Sequence, residues 1–576
     1  MNRAVLAWSV CASVMGGALT GPAASVAQEA TRTHLSARQL LQAGLGEEAA
    51  SEPVKCGFPL ITRALRDRAS LAPDLSHALS SLMARPVMQT TRSSGSFRVH
   101  YDTTGSDAPA LLDPTSDYQR IPGTHHAYAD SVLSILSFVH LLETESLGYL
   151  PPPSDGTLGG GPECDVYVMN LTDVYGNQGY GETTPDVGVP NGGRATSWIS
   201  IDNDFSFVTP AANKGLPALR VTVAHEYHHA IQVGSYGYWT TDVYFYELTS
   251  TWLEDVAYTD VNDYYNYLNA SWGHFRNPGT VFASGSDLIM YSRSIWGIFV
   301  AKTYGSDVMR RCWELIADMP PVDAIDAALK ERSSSFAEAY SLWTIWNYHT
   351  AERSDPVQFY PEGGNYPKVV QVRSDFTPPS RRIDGQLGPL AARYHQVFVP
   401  ASPTTVADTV TLLLANVDVT GAAASIPAQP YSYLLADSKV DPSYVQAGLT
   451  LYAKLAVSEP QKWYPVSIRR DSIVSGRTLA LEEGEAFPNP FFPDGSNGVL
   501  VPLTATAKVT GTMYVYDPSM GLVWKGDVQS SYQNGAEVVR WDGRTSRGEI
   551  ASSGVYVYAI DLGTRVVTGK IAVVRR

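Results

Sequence analysis

Cysteine is scarce in this chain: there are four in 576 residues, and Cys11 falls inside an apolar amino-terminal run. The other three, Cys56, Cys164 and Cys312, can close one intramolecular disulfide at most. A small disulfide-braced scaffold is therefore excluded, and stability has to come from buried cores. Charge is also scarce, 17% Asp, Glu, Lys and Arg against a usual value of about 25%. What charge there is leans acidic: Lys and Arg number 42, Asp and Glu 57, a formal net charge of −15. That leaves too little basic surface to neutralise a phosphate backbone, so no nucleic acid is expected as a partner. Long apolar runs are missing as well. The best candidate, Ala4 to Leu19, is interrupted by Gly16 and Gly17 and falls short of the roughly 20 residues that span a bilayer. No transmembrane segment is expected in the mature chain. Aromatic residues are plentiful, with 33 Tyr, 12 Trp and 16 Phe, a composition that argues for folded cores and against disorder.

The amino terminus reads as an export signal. Arg3 provides a positive start, the apolar run follows, and Ser25-Val26-Ala27 offers a small-x-small cleavage site. The chain divides accordingly into a signal peptide (1–27) and an amino-terminal helical segment or propeptide (28–95). An α+β domain (96–375) and two β-sandwich modules (376–484 and 485–576) follow. Helical patterns are expected at Leu35 to Leu45 and Ala64 to Met83, and the polar run Thr90 to Gly95 reads as a processing loop. Phe97 to Tyr101 and Cys164 to Met169 alternate as strands do. Helices are expected at Ala127 to Leu147, Val221 to Val233, Tyr244 to Tyr258, Tyr291 to Tyr304 and Phe336 to Tyr348. Beyond about Ser374, short Val/Thr/Leu runs such as Thr409 to Leu414 and Leu449 to Ala456 alternate with Pro and Gly. Asn497-Gly498, Asn534-Gly535 and Asp542-Gly543 mark tight turns.

The chemistry concentrates in one string, His225-Glu226-Tyr227-His228-His229. Histidines four apart on a helix share a face, so their imidazoles can meet on one Zn2+, and Glu226 beside them can accept the proton of an activated water. His228 points about 100° away from His229 and reads as structural. Two histidines hold a metal poorly, and a third ligand is expected from the next helix, where Glu247 and Glu254 share a face. Two His and one Glu leave an open position for water, as catalytic zinc requires. Metal-assisted hydrolysis of a peptide bond is the natural reaction.

In these residues the chain resembles the gluzincin metalloproteases, such as thermolysin and aminopeptidase N, whose third ligand is a Glu followed at i+3 by Ser or Ala. The resemblance implies Glu247, with Ser250 at i+3, as ligand. Thr251 stands where thermolysin-like enzymes carry an Asp that supports a ligand histidine, which leaves Glu254 as alternative ligand or as support for a histidine. Over about Phe97 to His349 the strings Phe97 to Gly105, Ile201 to Phe205, His225 to Gln232 and Asp260 to Tyr265 resemble secreted bacterial gluzincin-like proteases. That likeness implies Tyr291 as an oxyanion donor. A packing tyrosine is the plain alternative, and His274 is a second candidate donor.

Lys55-Cys56-Gly57-Phe58-Pro59 resembles the Cys-Gly-x-Pro core of the matrix metalloprotease cysteine switch, which implies a thiolate on the open metal position. A Cys56–Cys164 disulfide and a buried free thiol remain as other readings. Asp202-Asn203-Asp204 suggests Ca2+, but three residues supply too few oxygens, and a turn is expected. From Phe487-Pro488-Asn489-Pro490-Phe491 onward, with Trp541-Asp542-Gly543-Arg544 and Ser553-Gly554-Val555-Tyr556, the chain resembles the immunoglobulin-like, flagellar-hook-capping type of module found on type IX secretion cargo. That implies a secreted or cell-surface location and leaves three roles for the module: sorting by secretion machinery, surface attachment and simple capping. The expected activity is that of a secreted zinc metallopeptidase acting on protein or peptide. A non-catalytic surface adhesin with a zincin fold and a zinc hydrolase of other amides are the competing classes.

Overall fold

The computed structural model describes residues 37–46, 54–172, 178–188, 192–285, 288–375, 380–399, 408–419, 428–436, 439–444, 449–455, 464–466, 484, 486, 491, 493, 498–505, 508–517, 519–533 and 536–575. The expected signal peptide, the residues Phe487 to Pro490 and the turn at Asn534-Gly535 lie outside them. The chain forms two compact units, 1–370 with 419–425, and 371–418 with 426–576.

After a helical stretch at 37–44, the first unit continues with strand β1 (Val54–Cys56), helices α1 (Phe58–Arg66) and α2 (Pro73–Leu82), and the hairpin β2 (Thr90–Ser94) and β3 (Phe97–Tyr101). Helix α3 (His125–His140) and strands β4 (Cys164–Met169), β5 (Gly179–Pro185) and β6 (Ser197–Asp202) complete a six-stranded mixed sheet in the order β1-β5-β6-β4-β3-β2. β1 runs parallel to β5, and β5 antiparallel to β6.

Two expectations change here. The helix foreseen across Ala64 to Met83 is two helices, because Ala72 is extended ahead of Pro73, which cannot sit inside a helix and instead starts the next one. The run Thr90 to Gly95, foreseen as a processing loop, is strand β2 and its turn: Ser94 pairs with Phe97 across a two-residue connection in which Gly95 has φ +58°. An edge strand with partly and fully exposed Thr, Arg and Ser side chains looks like a loop in composition, because nothing on it faces a core.

The helical half contains α4 (Leu216–Ile231), α5 (Val243–Ala257), α6 (Tyr265–Asn269), α7 (Ile289–Ser292), α8 (Ile295–Tyr304), α9 (Asp307–Ile316), α10 (Pro321–Lys330) and α11 (Phe336–Tyr348). α4 starts with Pro at its first turn, packs against β5, β6 and α5, and buries every residue from Val221 through Ile231, so the stretch has no exposed face. It ends in a wider turn, Gln232–Tyr236, that closes on Gly237. α11 is capped by Ser335, whose hydroxyl accepts from Glu338 N. The expected helix Tyr291 to Tyr304 breaks at Arg293, whose buried guanidinium donates to the carbonyls of Phe282 (2.7 Å) and Thr280 (2.9 Å).

The second unit consists of mostly antiparallel sheets. A three-stranded sheet contains Ser380–Leu387, Gln429–Ala436 and Lys439–Tyr444. A five-stranded sheet contains Ala391–Val399, Asp408–Asn416 and Leu449–Leu455, with one parallel edge strand, Val372–Asp375. Further along, Val499–Leu503 pairs with Ala536–Trp541, and Thr510–Tyr516 lies between Leu522–Gln529 and Gly554–Asp561. Asp542-Gly543 forms a turn with Gly543 at φ +79°, as its sequence suggested.

Candidate metal centre

The two histidines of α4 lie on one face, with Nε2 of His225 and Nε2 of His229 3.1 Å apart. α5 brings Glu247 to the same point: Oε2 is 3.1 Å from His225 Nε2 and Oε1 is 3.3 Å from His229 Nε2. Donors bound tetrahedrally to zinc at about 2.0–2.1 Å would stand about 3.3 Å apart, so these spacings fit one small divalent ion. Cys56 Sγ belongs to the same cluster, in which all four ligand atoms lie within 4.8 Å of one another. All four residues are buried.

The surrounding hydrogen bonds orient the donors. His225 Nδ1 donates to Glu254 Oε1 at 2.8 Å, and His229 Nδ1 to Gln232 Oε1 at 2.7 Å, which turns both Nε2 atoms toward the cluster. Gln232 is in turn anchored by its amide on Thr249 Oγ1 (2.9 Å) and Tyr246 O (3.2 Å) of α5. Burial would raise the Glu247 carboxyl, but the imidazoles of His229 and His225 outweigh it and hold it near 2. Burial would lower His225, but its bonds to Glu247 and Glu254 raise it to about 9. The donors therefore compete for protons, and a cation would displace those protons on binding.

Glu226 points to the β5 side. Thr183 Oγ1 lies 2.8 Å from its Oε2 and 2.8 Å from its backbone oxygen, while Oε1 is buried without a protein partner. Burial raises its carboxyl above the usual range. The close approach depends on Gly181: a Cβ there would stand 2.8 Å from Glu226 Cγ. The ring of Tyr291 lies 6.3 Å from that of His225 and is buried; burial, then the charges of Glu247 and Cys56, push its phenol up.

Other sequence candidates sit elsewhere. His274 is in the helical core, stacked on Trp343 at 4.6 Å and accepting from Asn347 Nδ2 at 3.0 Å. His228 pairs with buried Glu143 at 2.6 Å, away from the cluster. The oxygens of Asp202 accept from the N–H groups of Leu171, Asp204 and Phe205, and Asp204 meets Arg120, which makes the Asp202–Asp204 run a turn. Cys56 and Cys164 are both free thiols, so the disulfide between them is not formed.

Sequence reasoning missed Lys55, Asp263, Phe58, Thr183 and Gln232 as parts of the site. Lys55 Nζ donates to Glu254 Oε2 (2.9 Å) and Asp263 Oδ2 (3.1 Å), all buried. Phe58 stacks on His229 with centroids 4.4 Å apart. Only Gln232, three residues after His229, carried a local signal.

No protein-family model matches the chain, and no curated protein matches it. Among solved structures there is a similarity to PorZ, an essential bacterial surface component of the type-IX secretion system of Porphyromonas gingivalis. It has 12% identity over 32% of this chain and 37% of that one, with a TM-score of 0.12. A similarity of that size defines neither fold nor function. Among the described residues no helix is long and apolar enough to cross a membrane.

Proposed function

We propose that the chain is an exported zinc-dependent peptidase of the gluzincin type, with His225, His229 and Glu247 as ligands and Glu226 as general base. The observation that carries this reading is the convergence of two Nε2 atoms and one carboxylate at 3.1–3.3 Å, beside a second carboxylate with an unpartnered oxygen. Nitrogen and oxygen donors in this number suit zinc, which when bound would supply Lewis acidity to a water and a carbonyl. Glu226 takes the proton of the attacking water on Oε1 and delivers it to the leaving amine, while Thr183 holds Oε2 in place. Glu254 keeps His225 in the tautomer that presents Nε2. Tyr291 donates its phenolic hydrogen to the developing oxyanion. Export and surface delivery rest on the leader-like pattern at 1–27 and on the module from 485.

One observation favours a second reading, a sealed four-ligand centre in a non-catalytic surface protein: Cys56 completes the cluster, and its members are shut off from solvent. Hydrolysis of casein or gelatin, with and without chelator and in Glu226→Gln, separates the two. Turnover that needs both metal and Glu226 supports the peptidase. Bound metal without turnover supports the sealed centre, and turnover of small amides alone identifies an amide hydrolase.

A further inference from the structure

The centre is closed by the chain's own amino-terminal segment. β1 lies on the outer edge of β5, with Val54 opposite Gly179 and Cys56 opposite Gly181, and Gly57 N continues the ladder to Gly181 O at 2.9 Å. β5 is the strand that backs onto Glu226, through Gly181 and Thr183. Without β1 its free edge would offer N–H and C=O groups to an extended peptide passing the metal ligands, the mode by which sheets bind peptides as an added strand.

Three side chains hold the segment down. Lys55 reaches the Glu254–Asp263 pair, and Glu254 is the acceptor that orients His225. Cys56 Sγ points into the ligand cluster and donates to Glu226 Oε2 at 3.6 Å, so the thiol occupies both the metal side and the general-base side of the centre. Phe58 covers His229. The connector after α2 is irregular; Val87 within it is 97% exposed, between Arg85, which pairs with Asp155, Asp165 and Asp186, and the strand at Thr90–Ser94, which is tied into the sheet. An exposed irregular connector is where a protease cuts.

We propose that Val54–Phe58 is a built-in latch: Cys56 binds the metal as a fourth, thiolate ligand, its proton passing to solvent, while β1 occupies the edge where the peptide substrate lies. Cutting the connector at 84–89 frees the latch, and the departing thiolate takes a proton from water. The latch rests on the metal-centre reading above and deepens it.

The test uses the full chain with Cys11→Ala, Cys164→Ala and Cys312→Ala, loaded with Co2+, and a site-specific protease sequence placed between Val87 and Met88. Metal content is measured separately from absorption. The expected result is one Co2+ per chain with a thiolate-to-cobalt charge-transfer band that Cys56→Ala abolishes while metal is retained. Alkylation of Cys56 should be at least about tenfold slower with metal than after chelation. After the cut and a sizing column, the band should be lost, metal kept, and Glu226-dependent peptide turnover should appear. Stoichiometric metal without the band overturns the ligand role of Cys56 and leaves the peptidase reading standing. No bound metal overturns the underlying centre. A fragment that stays bound with the band intact overturns release and makes Cys56 a permanent ligand. Lys55→Met is the second variant: it leaves the thiol in place, loosens its anchor, and should speed Cys56 alkylation in the uncut protein. An unchanged alkylation rate overturns the anchoring role.

Discussion

Around α4 and α5 the first unit buries His225, His229, Glu226, Glu247, Glu254, Lys55 and Asp263 together, whereas the last sheets of the second unit close over Val499, Val501, Met513, Val515, Trp541, Tyr558, Ile560 and Ile571. Both interiors are buried, but they are built from different groups. An apolar core needs only matched volumes to stay closed, and its energy comes from the area it removes from water. A buried charge network costs several kcal/mol per ion in desolvation, and well-packed apolar residues could stabilise as much or more. Its retention in the first unit is therefore not explained by stability alone.

The sharpest break in this comparison is Glu226→Gln. It keeps shape and burial, so the proposed peptidase activity of the unlatched chain should fall by about 10²–10⁴-fold with metal content unchanged. Proteolysis assays beside elemental analysis measure both. The mirror experiment in the second unit is Trp541→Ala. Trp541 packs near Phe491 and Tyr556 and donates from its indole to Arg544 O at 3.0 Å. Its truncation should cost about 3–5 kcal/mol in chemical unfolding and leave metal stoichiometry untouched. If it also strips the metal, the two interiors are not independent.

A smaller effect sharpens the contrast within the first unit. Glu254→Gln keeps a side chain next to His225 Nδ1 but removes the charge shared with Lys55, and metal affinity should weaken by about 10–100-fold in competition with a chelator. The smallest effect belongs to His395 of the second unit, which burial holds down at about 4. Its folded pKa lies below the unfolded value of about 6.5, so the native state binds fewer protons between the two. Stability is complete above about pH 6.5 and is lost as pH falls toward 4, by about 2 kcal/mol once residual exposure is allowed for. Calorimetry at pH 7, 5.5 and 4 should show the fall, and His395→Gln should flatten it.

Much of this was legible in the residues. Phe336 to Tyr348 and Cys164 to Met169 form the expected helix and strand because their patterns are local. Errors came where local composition and partner disagreed. Thr90 to Ser94 has a loop's composition and becomes a strand only because Phe97 to Tyr101 is there to pair with it. Tyr291 was expected at the head of one long helix and sits in a short one, since Arg293 turns inward to carbonyls far along the chain from any helical partner. Lys55 and Asp263 had no legible role, because nothing about a lysine in a short strand announces a carboxylate 208 positions away.

The sequence by itself determined the paired imidazoles, because residues four apart on a helix share a face whatever surrounds them. It also determined the apolar alternation of the later strands, for the equivalent reason of period two. Only the tertiary structure decided that Glu247 meets both Nε2 atoms while Glu254 takes Nδ1, and that Cys56, 170 residues before Glu226, closes the cluster. Those choices depend on how α5 and β1 dock against α4 and β5, and docking is set by the summed packing of whole elements, which no short stretch of sequence contains.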